Sequence, residues 1–274
     1  VKSWTAGKAA VRCPGRIALA PALLGAILLA GCTSPDEQAE SSSGSPAPAT
    51  ASPPPDCPNP HGGACLGPLA AGTFTTRVFD PSITYTVPEG WENGEDLPGN
   101  FLLYRAVDDP HGNEPTTYVG IYADVYAASQ ACIEGSEPPE APEPGVSLAA
   151  REWIDWVTGL PGVDSRAGVQ QVTVGGLTGW STDLVARGKQ ACSFDGNEGT
   201  PILIGSGRSQ VHHMLGPGAG MGLIVLDRPG GGNIAIEISS MDEDLPWSEY
   251  RALVEPIIAS LRFGAPSPAS PPTA

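Results

Sequence analysis

The side chains equipped for proton transfer are few and scattered. His111 stands in Asp108-Asp109-Pro110-His111-Gly112, where a carboxylate beside an imidazole has the parts of an acid–base pair. The same residues form a turn sequence, and a turn with solvated charges accounts for them better. His212 and His213 are adjacent, so on a strand they face opposite ways and cannot close on one metal ion. Ser206, in Gly205-Ser206-Gly207, lacks the flanks of a nucleophile elbow. The glycine cluster Gly216 to Gly222 has Met221 where a dinucleotide fingerprint needs its third glycine. It leads into the strand-like run Leu223 to Leu226, so it supplies no helix N-terminus to hold a phosphate and reads as a hairpin loop. Met241-Asp242-Glu243-Asp244 gathers carboxylates without the spacing of a calcium loop, and Asp244 reads more simply as a helix cap. The sequence therefore predicts no catalytic residue, no cofactor and no metal. A set of dispersed residues, such as His111 with Asp108 or Asp109 in a cell-envelope hydrolase, stays open as the alternative.

Cysteine offers a different chemistry. Of six cysteines, Cys13 and Cys32 fall in or beside an N-terminal apolar run, leaving Cys57, Cys65, Cys132 and Cys192. An even number in an exported chain points to disulfides, and four cysteines allow three pairings. The favoured pairing is Cys57 with Cys65 across a short loop, and Cys132 with Cys192 between two strand ends. Zinc, with His61 nearby, is the alternative, although the spacing matches no zinc pattern.

Export is read from the N-terminus. Lys2, Lys8, Arg12 and Arg16 precede any acidic residue, and the apolar stretch Ile17 to Ala30 follows. A basic segment before a short apolar one is a secretory signal pattern. It ends in Leu29-Ala30-Gly31-Cys32, which resembles the lipobox of bacterial lipoproteins. That resemblance implies a signal peptide over 1–31, acyl chains on Cys32, and a protein anchored at the outer face of the cytoplasmic membrane. The chain carries a formal charge of −16, and the signal peptide would take four basic residues with it. Such acidity repels nucleic acid and anionic headgroups, which excludes nucleic-acid partners. Scarce lysine (Lys2, Lys8, Lys189) beside abundant Ala, Gly, Pro and Val suits a high-GC actinobacterium, as does a leading Val1 read from an alternative start codon.

The elements that must position these residues occupy the rest of the chain. Residues 32–72 are rich in Ser, Pro, Ala and Gly and read as a disordered tether. As a coil the tether would span roughly 35 Å. Residues 265–274 read as a second disordered segment, leaving one α+β domain over 73–264. The Glu/Pro-rich stretch Glu134 to Gly145 reads as a surface loop. Ile83 to Val87 alternates apolar and polar as a half-buried strand does. Phe101 to Arg105 and Tyr118 to Tyr126 read as the next strands. Further strands are expected near 168–174, 178–186, 201–205, 209–215, 221–227 and 233–239. Ser147 is expected to cap a helix running to Thr158. A second helix from Pro246 carries Pro256, expected to kink or split it. Several strands are apolar on both faces, so an antiparallel sheet covered on both sides is expected.

Within that frame the most suggestive feature is aromatic. Tyr118, Tyr122 and Tyr126 would share one face of a single strand, as a platform for a ligand or partner or as rings packed under a helix. Trp91 and Trp180 read as core or as part of a pocket mouth.

Three stretches together resemble PsbP/Mog1-like domains: Ile83-Thr84-Tyr85-Thr86-Val87-Pro88-Glu89-Gly90-Trp91, Val174-Gly175-Gly176-Leu177-Thr178-Gly179, and Ile258-Ala259-Ser260-Leu261-Arg262-Phe263. In actinobacteria such domains occur in LpqN-like lipoproteins. The resemblance implies an α/β/α sandwich and a non-enzymatic role through partners: an envelope protein, a lipid or a glycolipid.

Overall fold

The computed structural model describes residues 66–105, 107, 117–132, 140–188, 192–194, 197–206, 211–240 and 245–265. Contacts divide the chain into Val1–Pro55 and Asp56–Ala274, and every described residue lies in the second unit. Cys32, Cys57, Cys65, His61, the Asp108–His111 turn and the Met241–Asp244 run lie outside the described residues.

Nine strands make the main sheet: β1 (Gly67–Leu69), β4 (Trp91–Asp96), β5 (Asn100–Arg105), β6 (Tyr118–Ala123), β15 (Asn233–Ser240), β14 (Gly220–Asp227) and β10 (Leu177–Ala186) in that order, with β8 (Val163–Ser165) and β9 (Gln170–Val174) both on the far side of β10. Every pairing in it is antiparallel. A second sheet is β11 (Cys192–Phe194), β12 (Asn197–Ile204) and β13 (His212–Leu215), with β7 (Tyr126–Ala127) also on β12. A third is β16 (Arg262–Phe263), β3 (Ile83–Val87) and β2 (Gly72–Thr75). The two helices are α1 (Ala150–Thr158) and α2 (Trp247–Ser260).

Strand alternation sorts the core into two layers. Ile234, Ile236 and Ile238 of β15 pack with Tyr250, Val254, Ile257 and Ile258 of α2 and with Ile83, Tyr85 and Val87 of β3. On the opposite face, Ala235, Leu223 and Val225 pack with Trp153, Ile154 and Val157 of α1 and with Ile202, Leu203 and Leu215 of the second sheet. Each face of an antiparallel sheet is thus covered by one helix together with a small sheet. The expectation of helices alone as the flanking layers is corrected to that extent, because nine- and fourteen-residue helices are too short to cover nine strands.

Five local expectations change. Strand β1, Gly67–Leu69, lies inside the span read as tether: it pairs with β4, and Leu69 is buried. The polar run Trp91–Asp96 is a strand. Asp96, at its end, is buried and accepts backbone N–H groups from Arg77, Val78 and Phe79 at 2.8, 3.2 and 2.8 Å, and this ties down the preceding loop. Tyr118 to Tyr126 is not one strand. Asp124 adopts φ +57°, the chain leaves the main sheet there, and Tyr126 pairs with Ile204 in the second sheet. The cap of α1 is not Ser147, whose hydroxyl binds Glu152. Asp227 accepts the Ala150 N–H instead, at 2.8 Å. Pro256 does not split α2, which runs unbroken to Ser260. Pro256 and Ala252, whose carbonyl loses its donor, both face solvent, so water replaces the missing bond.

Two expectations meet the structure directly. Val174-Gly175-Gly176-Leu177 is a two-residue hairpin joining β9 to β10. Both glycines have φ above zero, as such a turn requires. Cys132 and Cys192 form a disulfide with Cα atoms 5.5 Å apart, tying the segment after β7 to β11.

Candidate functional site

The tyrosine face expected from sequence resolves into a smaller, partly buried cluster. Tyr118 and Tyr122 share a face of β6, and register places Gly120 between them beside Glu237 of β15. Glu237 is the one carboxylate on a strand otherwise apolar or small from Ile234 to Ile238, and its side chain is only 1% exposed. A carboxylate that deep must be paired. Its Oε1 accepts the Tyr118 hydroxyl at 2.8 Å, and its Oε2 pairs with His213 Nδ1. The Tyr118 oxygen lies 3.2 Å from that same nitrogen. Ser239 also hydrogen-bonds Tyr118. The Tyr122 ring meets the His213 ring edge-on at 5.2 Å. Its hydroxyl folds back over Gly120, where any Cβ would collide with it.

Electrostatics follow from this geometry. Burial pushes the phenols of Tyr118 and Tyr122 well above the ordinary tyrosine range. The Glu237 carboxylate adds to the shift in both, and Glu95 adds further at Tyr122. Both rings therefore act as neutral hydrogen-bonding and packing groups. His213 belongs to the second sheet, whereas Glu237 and Tyr118 belong to the main one, so the cluster is a polar clasp between sheets.

The other expected site residues fall elsewhere. Tyr126 lies in the second sheet. Trp91 is 3% exposed and belongs to the α2-side core, so it is not at a pocket mouth. Trp180 is half-buried against the α1-side core, and the Arg151 guanidinium lies over its ring at 4.3 Å. Among the described residues, no group of three His, Cys, Asp or Glu side chains is placed to hold a metal, and no helix is long and apolar enough to cross a membrane.

Sequence reasoning missed a second feature. The β9–β10 turn (Gly175–Leu177), the β14–β15 turn at Arg228-Pro229, and the chain after β16 (Phe263–Ala265) surround a groove of about 380 Å³, with Pro81 at its wall. Leu177 and Phe263 give it an apolar lining continuous with the α2-side core. Its single charged lining residue is Arg228. The Nη2 of Arg228 meets Asp124 Oδ1 at 3.1 Å, whereas its Nη1 is buried with no acceptor among the described residues. The one advance signal was an arginine at the head of the glycine-rich turn Arg228-Pro229-Gly230-Gly231-Gly232.

No family model matches the chain, and no curated protein matches it. Among solved structures, the solution structure of cyanobacterial PsbP (CyanoP) from Synechocystis sp. PCC 6803 is similar over 73% of this chain and 98% of that chain. The identity is 10% and the TM-score 0.35.

Proposed function

We propose that this protein is a lipid-anchored, non-catalytic binding domain of the bacterial cell envelope, of the LpqN-like kind with a PsbP/Mog1-like domain. The anchoring half rests on the basic N-terminus, the apolar run and Leu29-Ala30-Gly31-Cys32. Multiple acyl chains on one cysteine make a stable anchor, since each buried CH₂ contributes about 0.8 kcal/mol.

The binding half rests on one observation: the groove at the two turns is mostly apolar, with Arg228 as its one charged lining residue. Its volume falls within the range of small-molecule sites, which combine apolar walls with a few fixed polar groups. The carboxylate–histidine pair supports a non-catalytic reading. Both carboxylate oxygens of Glu237 are engaged, and Tyr122 closes one side of the cluster at 2% exposure.

Two measurements on the full chain test this. Cys32→Ser should move the protein from the membrane to the soluble fraction. The chain isolated from envelope should also show extra mass under native conditions that disappears on denaturation. Unchanged membrane retention would remove the anchor. Identical native and denatured masses, with nothing retained from envelope extract, would remove the binding role.

A further inference from the structure

We infer that the groove is occupied in the free protein by this chain's own residues 266–274, which a ligand must displace. The second half of that statement deepens the binding-domain reading and rests on it.

The chain itself delivers these residues to the groove. β16 pairs antiparallel with β3 at Arg262–Thr84 and Phe263–Ile83, and the Gly264 N–H still donates to the Ser82 carbonyl at 2.7 Å. One step further along that register, Ala265 comes opposite Pro81. Phe263, Gly264, Ala265 and Pro81 all line the groove, so the chain runs along its wall up to the point where residue 266 follows. Neither Pro81 nor Pro266 has an N–H to give, so neither can extend the ladder. The chain is thus released from its strand at the edge of the groove.

Composition matches this occupant to the lining. Residues 266–274 read Pro-Ser-Pro-Ala-Ser-Pro-Pro-Thr-Ala, with four prolines and no charge. Four residues without an N–H make a poor strand partner. They favour polyproline II, whose rings dock in apolar grooves with aromatic walls. Leu177, Phe263, Pro81 and Pro229 supply such walls, and Phe263 is seated against Gly175, where any Cβ would collide with its ring. Arg228, the one charged lining residue, already lies 3.1 Å from Asp124, so an uncharged occupant leaves no charge unmatched.

Reach and tethering complete the argument. In polyproline II the nine residues extend roughly 28 Å, ample to cross a groove of about 380 Å³. A segment tethered at the wall has an effective concentration there on the order of millimolar, so weak contacts suffice to fill the groove.

The test uses the full chain carrying Cys32→Ser, so that no attached acyl chain competes, beside the same chain ended at Ala265. NMR signals of Leu177 report the groove, since Leu177 is remote in sequence from the cut. Ending the chain at Ala265 should shift them, and a peptide of residues 266–274 added at millimolar concentration should restore them. Octanol, as an apolar probe, should bind the shortened chain about tenfold more tightly, because the segment no longer holds the groove. Pro268→Ser with Pro271→Ser and Pro272→Ser keeps the length, removes three rings and should act in the same direction. That variant leaves β16 intact, so the test does not hang on the shortened chain folding. Leu177 signals indifferent to the segment, or equal octanol affinity in all three chains, would overturn the inference. Leu177 shifts that grow with protein concentration would overturn it as well, by placing the segment in the groove of a second copy. If Leu177 responds to the segment while no chain holds envelope cargo or octanol, the occupancy stands and the binding-domain reading fails. If cargo is held equally by all three chains and Leu177 does not respond, the occupancy alone fails.

Discussion

Two polar sites sit in apolar surroundings at different places on the same sheet, and they differ in what is left over. At the clasp, Glu237 spends both carboxylate oxygens on Tyr118 and His213, and Tyr122 closes the side. At the groove, Arg228 lies 3.1 Å from Asp124 and lines an open, mostly apolar volume. A buried polar group that is fully partnered specifies structure, because losing any member strands the rest. An open apolar volume with one charged residue in its wall has the composition of a small-molecule site. The clasp accordingly reads as the joint between the main and second sheets, and the groove as the place where something binds.

The largest expected effect is at the joint. His213→Ala leaves a 1%-exposed carboxylate with only hydroxyl donors, and should cost about 3–5 kcal/mol in denaturant unfolding. Glu237→Gln, which keeps shape and acceptor, should cost clearly less. Equal losses would mean that charge pairing contributes nothing there. Next comes the disulfide that fastens the sheet bearing His213. Cys132→Ser with Cys192→Ser should lose about 2–5 kcal/mol, measured the same way. Unchanged stability, or free thiols in the native protein, would show that the bridge is not formed.

Alkaline pH gives a graded version of the same test. The folded pKa values of Tyr118, Tyr122 and Tyr85 lie above their unfolded values, burial being the main cause in each. The folded state therefore keeps protons that the unfolded chain releases near pH 10. Stability from these groups is intact below about pH 10 and falls as pH rises beyond it. Tyrosinate absorbance should show these three of the six tyrosines ionising only as the protein unfolds. A simple titration of all six near the ordinary value would contradict the buried clasp. The smallest effect on stability is expected from Arg228→Lys, within about 1 kcal/mol because a lysine still faces Asp124, yet with the largest loss of ligand.

The sequence carried the periodic parts of this picture. Alternation in Ile83–Val87 and the helix running to Thr158 are local signals, and the structure uses them as read. The even cysteine count pointed to disulfides and left three pairings open, of which the structure holds the favoured Cys132–Cys192. What the sequence could not carry were partnerships made across the fold. Trp91–Asp96 lacks a strand pattern because Asp96 serves a loop seventeen to nineteen residues away. The tyrosine periodicity broke at Asp124, whose backbone sends Tyr126 to another sheet. Glu237 and His213 are twenty-four residues apart, and a carboxylate among isoleucines was the only advance sign of their pairing. The groove is assembled from four separated segments, none apolar enough alone to mark a site.

The contrast between clasp and groove is tested most directly by comparing native masses of the full chain, Tyr118→Phe and Arg228→Lys after equilibration with the same envelope extract. The account predicts that the unsubstituted chain and Tyr118→Phe carry the same extra mass, and that Arg228→Lys has lost most of it. Cargo lost from Tyr118→Phe and retained by Arg228→Lys would contradict the account and return the binding surface to the tyrosine cluster.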